Sequence, residues 1–94
     1  MGNRKTVYRA HAFKRMFERG IAILDVERVI AIGDVIEEYP NDFPYPSRLI
    51  LGWTRNQPIH VVVADNTDDN ELIVITAYEP DPIRWDQDFR RRNV

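Results

Sequence analysis

Apolar residues recur along this chain with two different periods, and the change between them divides it. From His11 to Arg19 the order is helical, with Phe13, Met16 and Phe17 at three- and four-residue spacing and charged residues opposite them. Gly20 supplies a C-terminal stop, so the pattern predicts a first helix over 11–19. A second helix over 24–32 buries Val26, Val29 and Ile30 and closes at Gly33. Its start has no side-chain cap, because Ala22 and Ile23 offer no acceptor, although Asp25 suits the dipole of the first turn. Two helices this close in sequence predict a helical hairpin with one shared apolar side.

Beyond Gly33 the period falls to two. A short strand over 35–39 leads into a loop carrying Pro40, Pro44 and Pro46. The run 48–54 alternates Leu49, Leu51 and Trp53 against Arg48, Ile50, Gly52 and Thr54. Over 59–65, Ile59, Val61 and Val63 share one face and His60, Val62 and Ala64 the other; a further strand covers 72–78. The connections, a four-residue turn over 55–58 and an Asn/Asp/Thr loop over 66–71, are short enough to predict an antiparallel meander. Asp81-Pro82 reads as an N-cap and first helical residue, starting a short helix that packs Ile83, Trp85 or Phe89 before the Arg90–Arg92 tail. The expected fold is α+β: an N-terminal helical hairpin packed on a four-stranded antiparallel sheet, with a short C-terminal helix. It is expected as one domain over residues 1–94, with an ordered core over about 7–89.

Composition narrows the chemistry. With no Cys there is no disulfide framework, thiolate nucleophile or Cys-based zinc site. The two His are far apart in sequence, and the expectation is no metal and no cofactor. No apolar run approaches the roughly 20 residues of a membrane span, and the basic N-terminus lacks a signal-peptide core. A cytoplasmic protein without membrane association is expected. The net charge of −2 argues against a protein that coats DNA. Its distribution is uneven: residues 1–19 carry six Lys/Arg against one Glu, whereas 20–45 and 65–88 are strongly acidic and three Arg close the chain. Such polarity suits an anion on one face and a basic partner on another.

Four features are candidates for function. In a helix His11, Arg15 and Arg19 form one row, able to contact phosphate oxygens and, through His11, to move a proton. His60 lies within an apolar strand but faces away from its neighbours, either as a general acid or base or as a packed His satisfied by a backbone carbonyl. Arg48 shares a strand face with Gly52 and Thr54; glycine there marks close approach by a ligand or another backbone, and Arg48 can grip phosphate. Thr76 and Tyr78 end the last strand, where Tyr78 can stack on a base or orient a 2′-hydroxyl. Glu37 and Glu38 alternate across a strand and do not converge on one bond. The sequence contains no Gly-rich phosphate loop and no nucleophile elbow.

The pattern H-A-x-x-R-M-x-E-R-G-I at 11–21, D-V at 25–26 and V-I-A-x-G at 29–33 resembles an uncharacterised bacterial domain family. So do P-Y-P-S-R-L at 44–49, H-V-V-V-A at 60–64 and L-I-V-I-T-A-Y-E-P at 72–80. That family is similar to the RelE superfamily of toxin–antitoxin endoribonucleases, in particular its BrnT- and MqsR-like branches. The resemblance implies a RelE-like fold and a metal-independent endoribonuclease that cuts RNA by 2′-hydroxyl attack, held silent by a small antitoxin protein. Carried onto this sequence, it implies Arg15 and Arg48 as phosphate clamps, His60 or His11 as proton carrier, and Tyr78 as an orienting or stacking group. Arg19, Thr54 and Thr76 complete the expected substrate-binding set. Toxins of this kind are usually basic, and the −2 charge of this chain implies fewer phosphate contacts.

Two other readings stand beside the toxin. One is a catalytically silent module of the same fold that binds RNA or an acidic protein segment. The other is a structural or regulatory homodimer formed through a sheet edge or the Pro-rich loop.

Overall fold

The computed structural model describes residues 4–94, so the first three residues of the expected domain lie outside it. Its elements in chain order are β1 (Lys5–Tyr8), α1 (Ala10–Arg19), α2 (Ile23–Ile32), β2 (Asp34–Tyr39), β3 (Ser47–Thr54), β4 (Gln57–Asn66) and β5 (Glu71–Tyr78). The strands form one sheet in the order β1-β5-β4-β3-β2. Strands β2 to β5 are antiparallel neighbours, whereas β1 pairs with β5 in parallel, Lys5 opposite Glu71 through Tyr8 opposite Val74.

This α+β fold corrects the expected one in three respects. The sheet has five strands and is mixed, because a short segment ahead of the first helix adds an edge strand. The helices do not form a hairpin that packs as a unit: α1 lies on β5, and α2 lies on β3 and β4. The C-terminal helix is absent among the described residues. Asp81 does cap one turn, its Oδ1 accepting the Ile83 N–H at 2.9 Å and its carbonyl accepting from Arg84 and Trp85, but the chain then leaves the helical path.

Local chemistry explains the element boundaries. Gly20 ends α1 in the left-handed region (φ 69°), where its N–H reaches the carbonyls of Met16 and Phe17. Ala22 stands at the N-cap of α2 without a side-chain cap. Arg55 and Asn56 both take positive φ (49° and 64°), making the β3–β4 connection a two-residue turn whose twist matches the strands, tighter than the four-residue turn expected.

The helices cover one face of the sheet. The core there joins Ala12, Met16, Ile21, Val26 and Val29 to Ile50, Ile59, Val61, Val63, Leu72, Val74 and Ala77. On α1 the buried residues are Ala12 and Met16, while Phe13 and Phe17, read as core from the sequence, are 51% and 85% exposed. They border an apolar cleft of about 190 Å³ with Met16, Ile21, Ala22 and Ile23. Gly52 belongs to the covered face because α2 leaves no room for a side chain: a Cβ there would lie 2.6 Å from Cγ2 of Val29. No helix among the described residues is long and apolar enough to cross a membrane.

Candidate functional site

On the far side of the sheet the register sets Leu51, His60 and Tyr78 in line across β3, β4 and β5. A bare sheet face carrying leucines and a histidine would expose apolar area to water, and the segment after β5 covers it. Pro80 and Trp85 are buried there. The Trp85 ring stands edge-on to the His60 imidazole, with centroids 4.5 Å apart, and Phe89 meets Trp53 at 5.9 Å in a similar geometry. The segment is closed on itself. Trp85 bridges Arg92, the Asp86 N–H donates to the Arg91 carbonyl at 2.9 Å, and Asn93 donates from its backbone to Arg84 at 2.8 Å. The Asp86 carboxylate accepts the N–H groups of Arg90 and Arg91. Such bonds outweigh its desolvation and hold it below the usual carboxylate range.

His60 is fully buried beneath this strap. Its Nε2 donates to the carbonyl of Phe89 at 2.8 Å, and its Nδ1 lies 3.3 Å from the Tyr78 hydroxyl. Desolvation is the main influence on the ring and lowers its pKa; the Phe89 carbonyl and Glu37 act the other way without reversing the shift. Burial likewise raises the Tyr78 phenol.

Arg92 fastens the end of the strap to β2. Its Nε and Nη2 reach the two carboxylate oxygens of Glu37, both at 3.2 Å, and its guanidinium lies 4.7 Å from the centre of the Trp85 ring. The Tyr39 hydroxyl also donates to Glu37. Burial pushes the Glu37 carboxyl up, but these hydrogen bonds and the Arg92 charge outweigh it and leave the group below its ordinary range. Arg90 adds an exposed pair with Asp34 at 3.1 Å.

Between strap and sheet edge opens a cavity of about 610 Å³ lined by Arg19, Tyr78, Glu79, Asp81, Arg84, Trp85 and Arg92. Arg19 reaches it from the last turn of α1, its Nη1 donating to the Ala77 carbonyl at 2.8 Å, where β5 has run past its pairing with β1. The cavity joins three guanidiniums, a phenol and a buried indole, with two carboxylates beside them. That donor set suits a phosphate-bearing ligand with a ring to stack and a hydroxyl to bond.

Of the residues expected from the sequence, the structure brings together His60, Tyr78 and Arg19, with Thr76 half-buried on the same face as Tyr78. The others lie elsewhere. His11 and Arg15 are exposed on α1, away from the cavity lining. Arg48 shares the helix-covered face with Ile50, so it and His60 occupy opposite faces. Its guanidinium is bound to Asp65, which Arg4 also pairs with. Thr54 is buried at the far end of the same strand. Gly52 is spoken for by α2 rather than by a ligand. Trp85, Arg84 and Arg92, expected in a helix and its tail, join the site, as does Glu37, which holds Arg92. Their local signal was a Trp and an Arg run after Asp-Pro, and nothing in that run says it folds over His60.

Among known families, that of the DUF4258 domain of unknown function matches residues 8–79, and the chain belongs to it. The match contains Arg19, His60 and Tyr78 and ends at the start of the strap. No curated protein and no solved structure shows a significant match.

Proposed function

We propose that this protein binds single-stranded RNA in the cavity between its C-terminal strap and the edge of its sheet. The observation that carries the reading is the convergence of Arg19, Arg84 and Arg92 with Tyr78 and Trp85 around one opening. Arg84, whose side chain is 82% exposed, meets backbone phosphate, and the exposed Arg15 extends the basic track along α1. Tyr78, half-buried at the cavity, supplies the aromatic surface that single-stranded nucleic acid uses, and Trp85, buried behind it, backs Arg92. Anisotropy titrations of a labelled single-stranded RNA across a salt series test it. The affinity should fall with salt, and Arg84→Glu should weaken binding about tenfold and flatten the log–log slope by about one phosphate contact. Salt-independent binding, or an unchanged Arg84→Glu variant, overturns it.

Toxin-type cleavage is a second reading, favoured by the Tyr78–His60 hydrogen bond beside the three arginines and by the resemblance to RelE-like toxins. In it Tyr78 takes the 2′-hydroxyl proton as its own proton passes to His60, the attacking oxygen bonds to phosphorus, the 5′-oxygen leaves with the bonding electrons and takes a proton from water, and the guanidiniums stabilise the phosphorane. Binding ranks ahead of cleavage because burial lowers the proton affinity of His60 and raises that of the phenol, which makes the transfer between them uphill. An antitoxin partner would have apolar surface available at Phe13, Phe17, Ile23 and Leu24. Induced expression separates the readings: growth arrest with RNA fragments, lost in Tyr78→Phe, establishes cleavage, and normal growth at high expression removes it.

A further inference from the structure

Resting on the RNA-binding reading, we infer that His60 is a positioning residue that makes the Tyr78 hydroxyl an obligate hydrogen-bond acceptor, so that the cavity selects ligands offering a hydroxyl donor, ribose over deoxyribose.

One buried ring sets the polarity of the hydroxyl. A backbone carbonyl can only accept, so the 2.8 Å contact with Phe89 requires the proton on Nε2. A neutral imidazole with Nε2 protonated has a bare Nδ1, which can only accept. The hydroxyl 3.3 Å away is that of Tyr78, so the phenolic proton points at His60. The phenol has a single proton, so with that proton on His60 the hydroxyl can only accept from a ligand in the cavity that Tyr78 lines. The ring has little freedom to turn over. It is fully buried, Trp85 stands against it at 4.5 Å and Tyr78 at 5.3 Å, and a flip would aim a bare nitrogen or a carbon at the Phe89 carbonyl. The strap therefore fixes the imidazole, and the imidazole fixes the polarity of Tyr78. Guanidiniums around the opening take phosphate in RNA and DNA alike, and the carboxylates of Glu79 and Asp81 repel it, which leaves the choice of sugar to Tyr78, the uncharged side-chain acceptor lining the cavity. The 2′-hydroxyl supplies the proton; a 2′-deoxy or 2′-fluoro sugar does not.

The test compares three labelled single strands of one sequence, with ribose, 2′-deoxyribose or 2′-fluororibose, on the full chain. The ribose strand should bind about three- to tenfold more tightly than either of the others. Tyr78→Phe should bring the ratio of ribose to deoxyribose affinity to about one, whatever it does to binding of both strands. Nitrogen-15 spectra of the His60 ring in the wild-type protein should show Nε2 protonated and Nδ1 bare, a readout independent of whether any variant folds. In His60→Leu the freed phenolic proton should raise the 2′-fluoro strand relative to the deoxy strand. Equal affinity for ribose and deoxyribose, or a proton on Nδ1, overturns the inference while leaving phosphate binding intact. No binding of any strand overturns both it and the RNA reading.

Discussion

The His60 imidazole donates to the carbonyl of Phe89 across 29 residues of sequence, tying the middle of the sheet to the strap that closes over it. A polar ring placed in an apolar strand thereby becomes the anchor of the C-terminal segment and the support of Tyr78.

This burial makes stability depend on pH in a definite window. The folded-state pKa of His60 lies below its ordinary value of 6.5, so between the two the unfolded chain binds the extra proton. Stability is full above about pH 6.5 and declines as pH falls towards the folded pKa, before carboxylates such as Glu37 (ordinary value 4.5) enter. Thermal melts between pH 7.5 and 5 should show the decline, and His60→Asn should flatten it at a lower overall stability. An equally steep decline in the variant would assign it to other groups.

Gly52 meets Val29 with no space between strand and helix. Gly52→Ala should destabilise the fold by about 1–3 kcal/mol, the usual range for overpacking a core, measured by urea denaturation. A neutral result would mean that α2 can lift from β3.

The Tyr8 hydroxyl is buried without a hydrogen-bond partner among the described residues, and burial raises its pKa. Removing the oxygen leaves the edge-on contact with Phe13, 6.4 Å between centroids, in place. Tyr8→Phe should therefore gain about 1 kcal/mol, read as a higher denaturation midpoint.

Glu37 receives both Arg92 and Tyr39, yet the Arg92 side chain is 61% exposed, so the pair contributes no more than about 1 kcal/mol to global stability. Its effect should be local. Glu37→Gln should speed hydrogen exchange at the Asp86 and Asn93 amides and admit quencher to Trp85, with little change in the melting temperature. Unchanged exchange would show that His60 and Trp85 hold the strap without it.

Elements whose signal is periodic and local are legible in the chain before it folds. The helices over 11–19 and 24–32 and the strands over 35–39, 48–54, 59–65 and 72–78 all form within one or two residues of their expected bounds, and Gly20 stops α1 as its freedom at positive φ predicts. Among the candidates the sequence offered were His60, a polar residue in an apolar strand, Tyr78, a strand-end phenol, and Arg19, the end of the helical row begun by His11 and Arg15; of these, Tyr78 and Arg19 line the cavity. Which elements meet depends on long-range packing. Four residues, Lys5–Tyr8, are too short for alternation to declare a strand, and their pairing with β5 joins opposite ends of the chain. Alternation shows that Leu49 and Ile50 face opposite ways, but both are apolar; the helices chose the side of Ile50 because Gly52, on that side, leaves room for Val29. The β3–β4 register, which sets Leu51 and not Ile50 opposite His60, separated Arg48 from His60. The Asp-Pro start of the last segment promised a helix, but burying Trp85 and Phe89 on an uncovered sheet face and satisfying the His60 nitrogen outweighed a few helical turns. Those contacts are long-range, and they assembled the cavity.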